Sequence, residues 1–171
     1  MKRRNIVLVG FMGTGKSAVG NLLAKRLGWP LVDTDHLIEI KEGKSIPELF
    51  DSKGEGYFRS VESKIISEVM AQSNQVIATG GGSVLAVENR ENMLNFGFVV
   101  GLVARKEIII ERVKLDQNRP LLQGNVEERV GILLEQRKHA YDFVDLSIDT
   151  THMTKDSVVD LIIRGMEKLE H

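Results

Sequence analysis

Cysteine is absent from this chain of 171 residues. That excludes a disulfide framework and thiolate chemistry, and it is compatible with a cytoplasmic setting. Proline occurs only three times, and no linker, internal repeat or low-complexity segment interrupts the chain. Charge of one sign is also lacking. The formal net charge is −1, which argues against a dedicated nucleic-acid surface. No apolar run reaches the ~18 residues of a membrane span. The basic start Lys2-Arg3-Arg4, followed by apolar Ile6–Val9, is too short for a signal peptide, and Lys16 breaks it. Leu169-Glu170-His171 resembles a purification-tag remnant and carries no functional argument. What remains has the size and composition of one soluble domain, residues 1–171.

The most informative stretch is Gly10-Phe11-Met12-Gly13-Thr14-Gly15-Lys16-Ser17. It fits G-x-x-x-x-G-K-[ST], the phosphate-binding P-loop. Ile6–Val9 before it reads as a strand buried on both faces. Ala18, Leu22, Leu23 and Leu27 after it recur at helical spacing. The glycines let backbone N–H groups turn towards an anion, and the helix start adds its positive dipole end. Lys16 is suited to the β- and γ-phosphates, and the Ser17 hydroxyl to Mg²⁺. Gly13, Thr14, Gly15 and Ala18 complete the expected cradle for ATP. The alternative is an ordinary glycine-rich turn.

Short apolar segments then alternate with amphipathic ones. Strands are predicted at Ile6–Val9, Leu31–Val32, Val76–Ala78, Phe98–Val103 and Leu146–Ile148. Five strands separated by helices imply an α/β fold of three layers around a parallel sheet. Ligands then belong beyond the C-terminal strand ends, and polar residues follow each strand there. After the second strand comes Asp33-Thr34-Asp35. One carboxylate suits Mg²⁺ or its waters and the other an acceptor hydroxyl, if the chain is extended there and both point the same way. Asp35 also reads as the N-cap of a helix over 36–41.

Gly43 to Gly56 is predicted to be a compact helical insert opened by a Ser45/Glu48 capping box. Tyr57-Phe58-Arg59 then begins a long helix through Met70. From composition alone, Phe50 and Phe58 are core residues and Arg59 a solvated charge. Thr79-Gly80-Gly81-Gly82-Ser83 precedes a helix over 84–94, and three glycines allow a close approach to the backbone. After the fourth strand, Ile108, Ile109, Arg112 and Val113 fall on a helix leading into polar 115–126, where a kinase would carry a lid that excludes water. Arg119 there is suited to the transferring phosphoryl group. The helix over 126–142 carries Arg129, Arg137, Lys138 and His139, which read as a solvated face. Asp149-Thr150-Thr151 ends the fifth strand, where it would lie beside the P-loop and a base. The four histidines show no metal-ligand spacing, and Trp29 reads as a packing residue.

Together the P-loop, Asp33-Thr34-Asp35, Phe58-Arg59, Gly80-Gly81-Gly82, Arg119-Pro120-Leu121-Leu122 and Arg137 resemble the shikimate kinases in order and spacing, from Ile6 to Ile148. The resemblance implies transfer of a phosphoryl group from ATP to shikimate, giving shikimate 3-phosphate on the route to chorismate. It implies that Asp35 binds the ring hydroxyls and takes the proton. Arg59 and Arg137 would hold the substrate carboxylate, Gly80, Gly81 and Gly82 would offer backbone donors, and Phe50 and Phe58 would wall the apolar edge. Arg119 would act on ATP from the lid, Arg112 would flank the adenine, and Asp33 would serve Mg²⁺, through water. Residues 33–61 would form the shikimate-binding insert and 112–125 the lid of a monomer. One departure is Lys114-Leu115-Asp116-Gln117-Asn118 before Arg119, where many relatives carry a glycine. A gluconate-kinase-like enzyme is the nearest rival. A GTP-dependent switch would need Asn-Lys-x-Asp, which is absent; Asp51-Ser52-Lys53-Gly54 fits its D-x-x-G but follows no strand.

Overall fold

A computed structural model describes residues 5–115, 124–169 and 171. Strand β1 (Asn5–Gly10) lies at the centre of a five-stranded parallel sheet with β2 (Leu31–Asp33), β3 (Val76–Ala78), β4 (Gly97–Val103) and β5 (Leu146–Asp149). The spatial order is β2-β3-β1-β4-β5. Register is set by pairs such as Ile6 with Val76 and Ile6 with Phe98. All six β1 residues are buried, because the strand has a core on each side. Val7 and Val9 pack into one cluster with Ile77, Val99, Ile65 and Met70. Ile6 and Leu8 pack into the other with Val100, Leu102, Leu23 and Ile162. The alternation along β1 therefore divides the molecule into three layers.

The first layer contains α1 (Lys16–Leu27) and α7 (Lys155–Leu169), and the opposite one α3 (Ile46–Met70) and α4 (Val87–Phe96). Helix α2 (Thr34–Glu42) packs on α3. Helices α5 (Lys106–Val113) and α6 (Val126–Gln136) share a third apolar cluster with Phe11 and Met12 of the P-loop. That cluster ties the loop to the end of the molecule where a nucleotide would lie. Trp29 packs beside the α1 layer.

Several predicted boundaries move. The insert and the long helix are one element, α3, opened by the expected capping box of Ser45 and Glu48 and broken at Gly54 (φ 81°, ψ 170°). The break falls at Gly54, not between Gly56 and Tyr57, because Gly54 is the residue that leaves helical geometry there. The predicted helix over 84–94 divides into a 3₁₀ turn, Ser83–Leu85, and α4, separated by extended Ala86. The helix predicted to reach residue 142 ends at Gln136, with Arg137 as its C-cap.

Candidate active site

The P-loop leaves β1 and enters α1 through Gly15, whose φ of 99° is a left-handed conformation that favours glycine. Lys16 folds back over the loop: its Nζ donates to the carbonyls of Gly10 and Phe11 at 2.6 and 2.9 Å. Thr14 Oγ1 donates to the Phe11 carbonyl at 2.7 Å. Thr150, just after β5, donates to the Thr14 carbonyl at 3.0 Å and to Val103 at 3.2 Å. The β5 loop thus lies beside the P-loop as expected. From the other side, Arg112 Nη1 donates to the Gly13 carbonyl at 2.8 Å. These contacts preorganise the cradle that a polyphosphate requires.

A cleft of about 980 Å³ runs along this cradle. Gly13 to Ala18 form its floor, with Arg112 and Met153 at one end and Asp33, Asp35, Gly80 and Gly81 at the other. The two aspartates belong to different elements, which corrects the expectation that they share one extended segment. Asp33 ends β2 and caps α2, its Oδ1 accepting from the His36 N–H at 3.2 Å. Asp35 lies in the first helical turn, so the cap is Asp33 and not Asp35. Both still face the same cleft, because a carboxylate at a helix start is held towards the N–H groups and the positive dipole end.

Behind the cleft lies a second cluster built on the three glycines. None of Gly80, Gly81 and Gly82 has a left-handed φ, so close approach, not conformation, explains them. A Cβ on Gly80 would meet Asp35 Oδ1 at 2.7 Å and Glu62 Oε2 at 3.1 Å. One on Gly81 would lie 3.6 Å from Arg137 Nη1, and one on Gly82 would lie 2.6 Å from the Arg59 guanidinium carbon. Gly80 and Gly82 leave room for charged groups, whereas at Gly81 the tightest neighbour is the Met12 backbone nitrogen at 3.3 Å.

Arg59 Nη1 donates to Glu62 Oε1 at 2.9 Å, one helical turn away. Glu62 is 1% exposed. Burial pushes its carboxyl up to about 7; Arg59 and Arg137 oppose that rise and Asp35 adds to it. Arg137 is 4% exposed, and its Nη1 is buried without a hydrogen-bond partner, as are Arg59 Nε and Glu62 Oε2. Guanidinium N–H groups turned inward and unpaired favour an incoming carboxylate. Phe50 and Phe58 meet across the Gly54 break with ring centroids 4.8 Å apart, and the Arg59 guanidinium lies 5.2 Å from the Phe58 centroid. Arg59, read from composition as a solvated charge, is half-buried, its side chain 23% exposed.

The expected residues therefore fall into two adjoining groups. Gly13, Thr14, Gly15, Lys16, Ser17, Ala18, Asp33, Asp35, Gly80, Gly81 and Arg112 line the cleft. Phe50, Phe58, Arg59, Gly82 and Arg137 form the cluster behind it. Arg119 and the rest of Arg119-Pro120-Leu121-Leu122 lie outside the described residues. Glu62 is the residue that sequence reasoning missed; its signal was the three-residue spacing from Arg59.

The geometry can be set against known proteins. The family model for shikimate kinase matches residues 12–167. A shikimate kinase of Thermodesulfovibrio yellowstonii is 45% identical over 169 residues, 98% of this chain and 98% of that protein. The chain belongs to the shikimate kinase family. The structure of the Acinetobacter baumannii shikimate kinase, in complex with shikimate, superposes with a TM-score of 0.90 at 38% identity, over 94% of this chain and 91% of that one. As in that family, ATP is the phosphoryl donor. A gluconokinase of Sinorhizobium meliloti shares only the fold, with a TM-score of 0.63 and 19% identity over 98% of this chain and 94% of its own. The likeness to shikimate kinases spans both the cleft and the glycine-backed cluster.

Proposed function

We propose that this shikimate kinase moves the γ-phosphoryl group of ATP to the 3-hydroxyl of shikimate. The hydroxyl oxygen forms the new P–O bond, the bond from the γ-phosphorus to the β–γ bridging oxygen breaks, ADP leaves, and the hydroxyl proton is released. The observation that carries this reading is the inward-facing pair Arg59 and Arg137, set on neighbouring glycines beside a P-loop cleft. Two guanidinium groups suit the carboxylate of a small cyclic acid. Phe50 and Phe58 offer its apolar edge a wall.

In this reading Lys16 exchanges its hold on the loop carbonyls for the β- and γ-phosphates. Asp35 binds the ring hydroxyls and accepts the proton, and Arg119 neutralises charge from the lid. The transition state needs little covalent help, so positioning and charge neutralisation dominate. Arg112, already on the Gly13 carbonyl, flanks the base. Ser17 and Asp33 would hold Mg²⁺, Asp33 through water. The donor set fits: Ser17 and Asp33 both line the cleft, and the cap of α2 uses Oδ1 of Asp33. Among the described residues no group of three or more acidic or histidine side chains gathers as a metal cage. Mg²⁺ commonly takes one or two protein oxygens, with water and phosphate supplying the rest. The ion, when bound, neutralises charge on the phosphates.

Residues 33–61 act as the shikimate-binding insert and 112–125 as the lid of one domain, working as a monomer in the cytoplasm. No described helix is long and apolar enough to cross a membrane. ADP release measured with shikimate, gluconate, AMP or no acceptor tests the assignment. Turnover with shikimate alone is expected, and activity confined to gluconate or AMP overturns it.

A further inference from the structure

The glycine loop is pinned at its middle by a side chain that none of the roles above uses. The carbonyls of Gly80 and Gly82 are taken by the N–H groups of Ser83 and Leu85, both at 3.1 Å. The carbonyl between them, that of Gly81, accepts from the Tyr141 hydroxyl at 2.6 Å, across 60 residues of sequence. Tyr141 lies in the turns after α6, four residues beyond Arg137, and packs between the α3 core and the α5–α6 cluster. Burial raises the phenol pKa, and the charge of Arg137 nearby opposes that rise. One phenol thus ties the glycine loop to the turns that follow Arg137.

The peptide joining Gly81 to Gly82 is planar, so fixing the Gly81 carbonyl also fixes the direction of the Gly82 N–H. Glycine on both sides of that peptide gives it no side-chain restraint of its own. We propose that Tyr141 is a positioning residue for the acceptor: its hydroxyl latches the Gly81–Gly82 peptide, beside Arg137, into the one arrangement that receives the substrate. It does not touch ATP. Its loss therefore weakens acceptor binding and leaves nucleotide binding intact. This rests on the assignment of Gly81 and Arg137 to the acceptor site.

Tyr141→Phe removes the hydroxyl and keeps the ring, so the packing survives. The experiment compares the full-length protein with Tyr141→Phe, Arg137→Ala and, as a control, Tyr57→Phe, whose hydroxyl bonds exposed Glu42. KM for shikimate, KM for ATP, kcat and Tm are measured for each, with the ¹³C shift of the Gly81 carbonyl as a readout independent of turnover. Tyr141→Phe is expected to raise the shikimate KM about tenfold, as loss of a buried hydrogen bond does. ATP KM and Tm should stay near those of Tyr57→Phe, and the Gly81 carbonyl resonance should move. An unchanged shikimate KM, or a parallel rise in both KM values with a lowered Tm, overturns the latch. If Arg137→Ala raises the shikimate KM and Tyr141→Phe does not, the latch alone fails. If Arg137→Ala has no effect either, the acceptor-site assignment fails and the latch with it.

Discussion

The Arg59 guanidinium occupies the space that a side chain on Gly82 would fill: its carbon and Nη1 both lie 2.6 Å from an ideal Cβ there. The backbone at Gly82, with φ −93° and ψ 1°, is open to alanine. The three atoms nearest to that Cβ all belong to Arg59.

Gly82→Ala should therefore fold and bind shikimate poorly. The methyl group meets the far end of a flexible side chain, which can yield, so Tm should change by only a few degrees, within about 1 kcal/mol. The guanidinium would be displaced from its place above the loop. A charge-assisted hydrogen bond is worth ~1.5–3 kcal/mol, so the shikimate KM should rise at least tenfold, about 1.4 kcal/mol or more. Steady-state kinetics at saturating ATP, with a thermal melt, checks both halves.

Replacing Arg59 by Lys keeps the charge and loses the planar fork. It also removes the guanidinium that donates to Glu62 Oε1 at 2.9 Å. The shikimate KM should rise by one to two orders of magnitude, ~1.5–3 kcal/mol, with a smaller change for ATP. Equal effects on both substrates would count against the acceptor role.

Glu62 gives a pH dependence with a definite sign. Its folded carboxyl is raised from 4.5 to about 7 by burial. Between those values the folded protein keeps a proton that the unfolded chain has lost. Glu62 therefore favours folding below the lower value, and this contribution falls away as pH rises towards the upper one. Wild-type Tm should drop relative to Glu62→Gln between about pH 5 and pH 7. A shikimate carboxylate arriving at Arg59 would raise the Glu62 pKa further. Calorimetry in buffers of different ionisation heat should therefore show proton uptake on binding near neutral pH, absent in Glu62→Gln.

Thr150 tests the nucleotide side by itself. Its buried hydroxyl is held by the Thr14 and Val103 carbonyls. Thr150→Val keeps the shape and takes the hydroxyl donor from the Thr14 carbonyl, at about 1–3 kcal/mol, while the Val103 carbonyl keeps the backbone N–H of residue 150 at 2.8 Å. ATP KM should rise severalfold and shikimate KM stay within about twofold, or ~0.4 kcal/mol. The two KM values, measured in one series, decide it.

The strands and the P-loop were legible because each depends on local pattern: short apolar runs for a sheet buried on both faces, and fixed glycines before a helix. The cluster behind the cleft was less so. Composition cannot tell a buried arginine from a solvated one, and Arg137 sits among charged neighbours on a helix whose end is set by tertiary packing. The resemblance singled it out where periodicity could not. Nothing local marks Glu62 as buried; the glycine loop lies against it, a Gly80 Cβ falling 3.1 Å from its Oε2. The Asp33 and Asp35 assignments hinged on where α2 begins, a boundary that either carboxylate could have capped. Gly54 completes a D-x-x-G match that follows no strand and so carries no switch; its positive φ breaks α3 between Phe50 and Phe58.

The strand order has a consequence for how such a molecule could change its trade. With β1 in the middle, the residues proposed to handle the acceptor hang from β2, β3 and the helices on that flank, apart from the short run holding Arg137 and Tyr141, whereas Arg112 and Thr150, proposed for the donor, extend from β4 and β5 on the other. The donor machinery and the acceptor chamber are thus nearly separable halves hinged on one strand. A sequence that rebuilt only the β2–β3 flank, together with one turn after α6, would keep its fuel and acquire a new cargo.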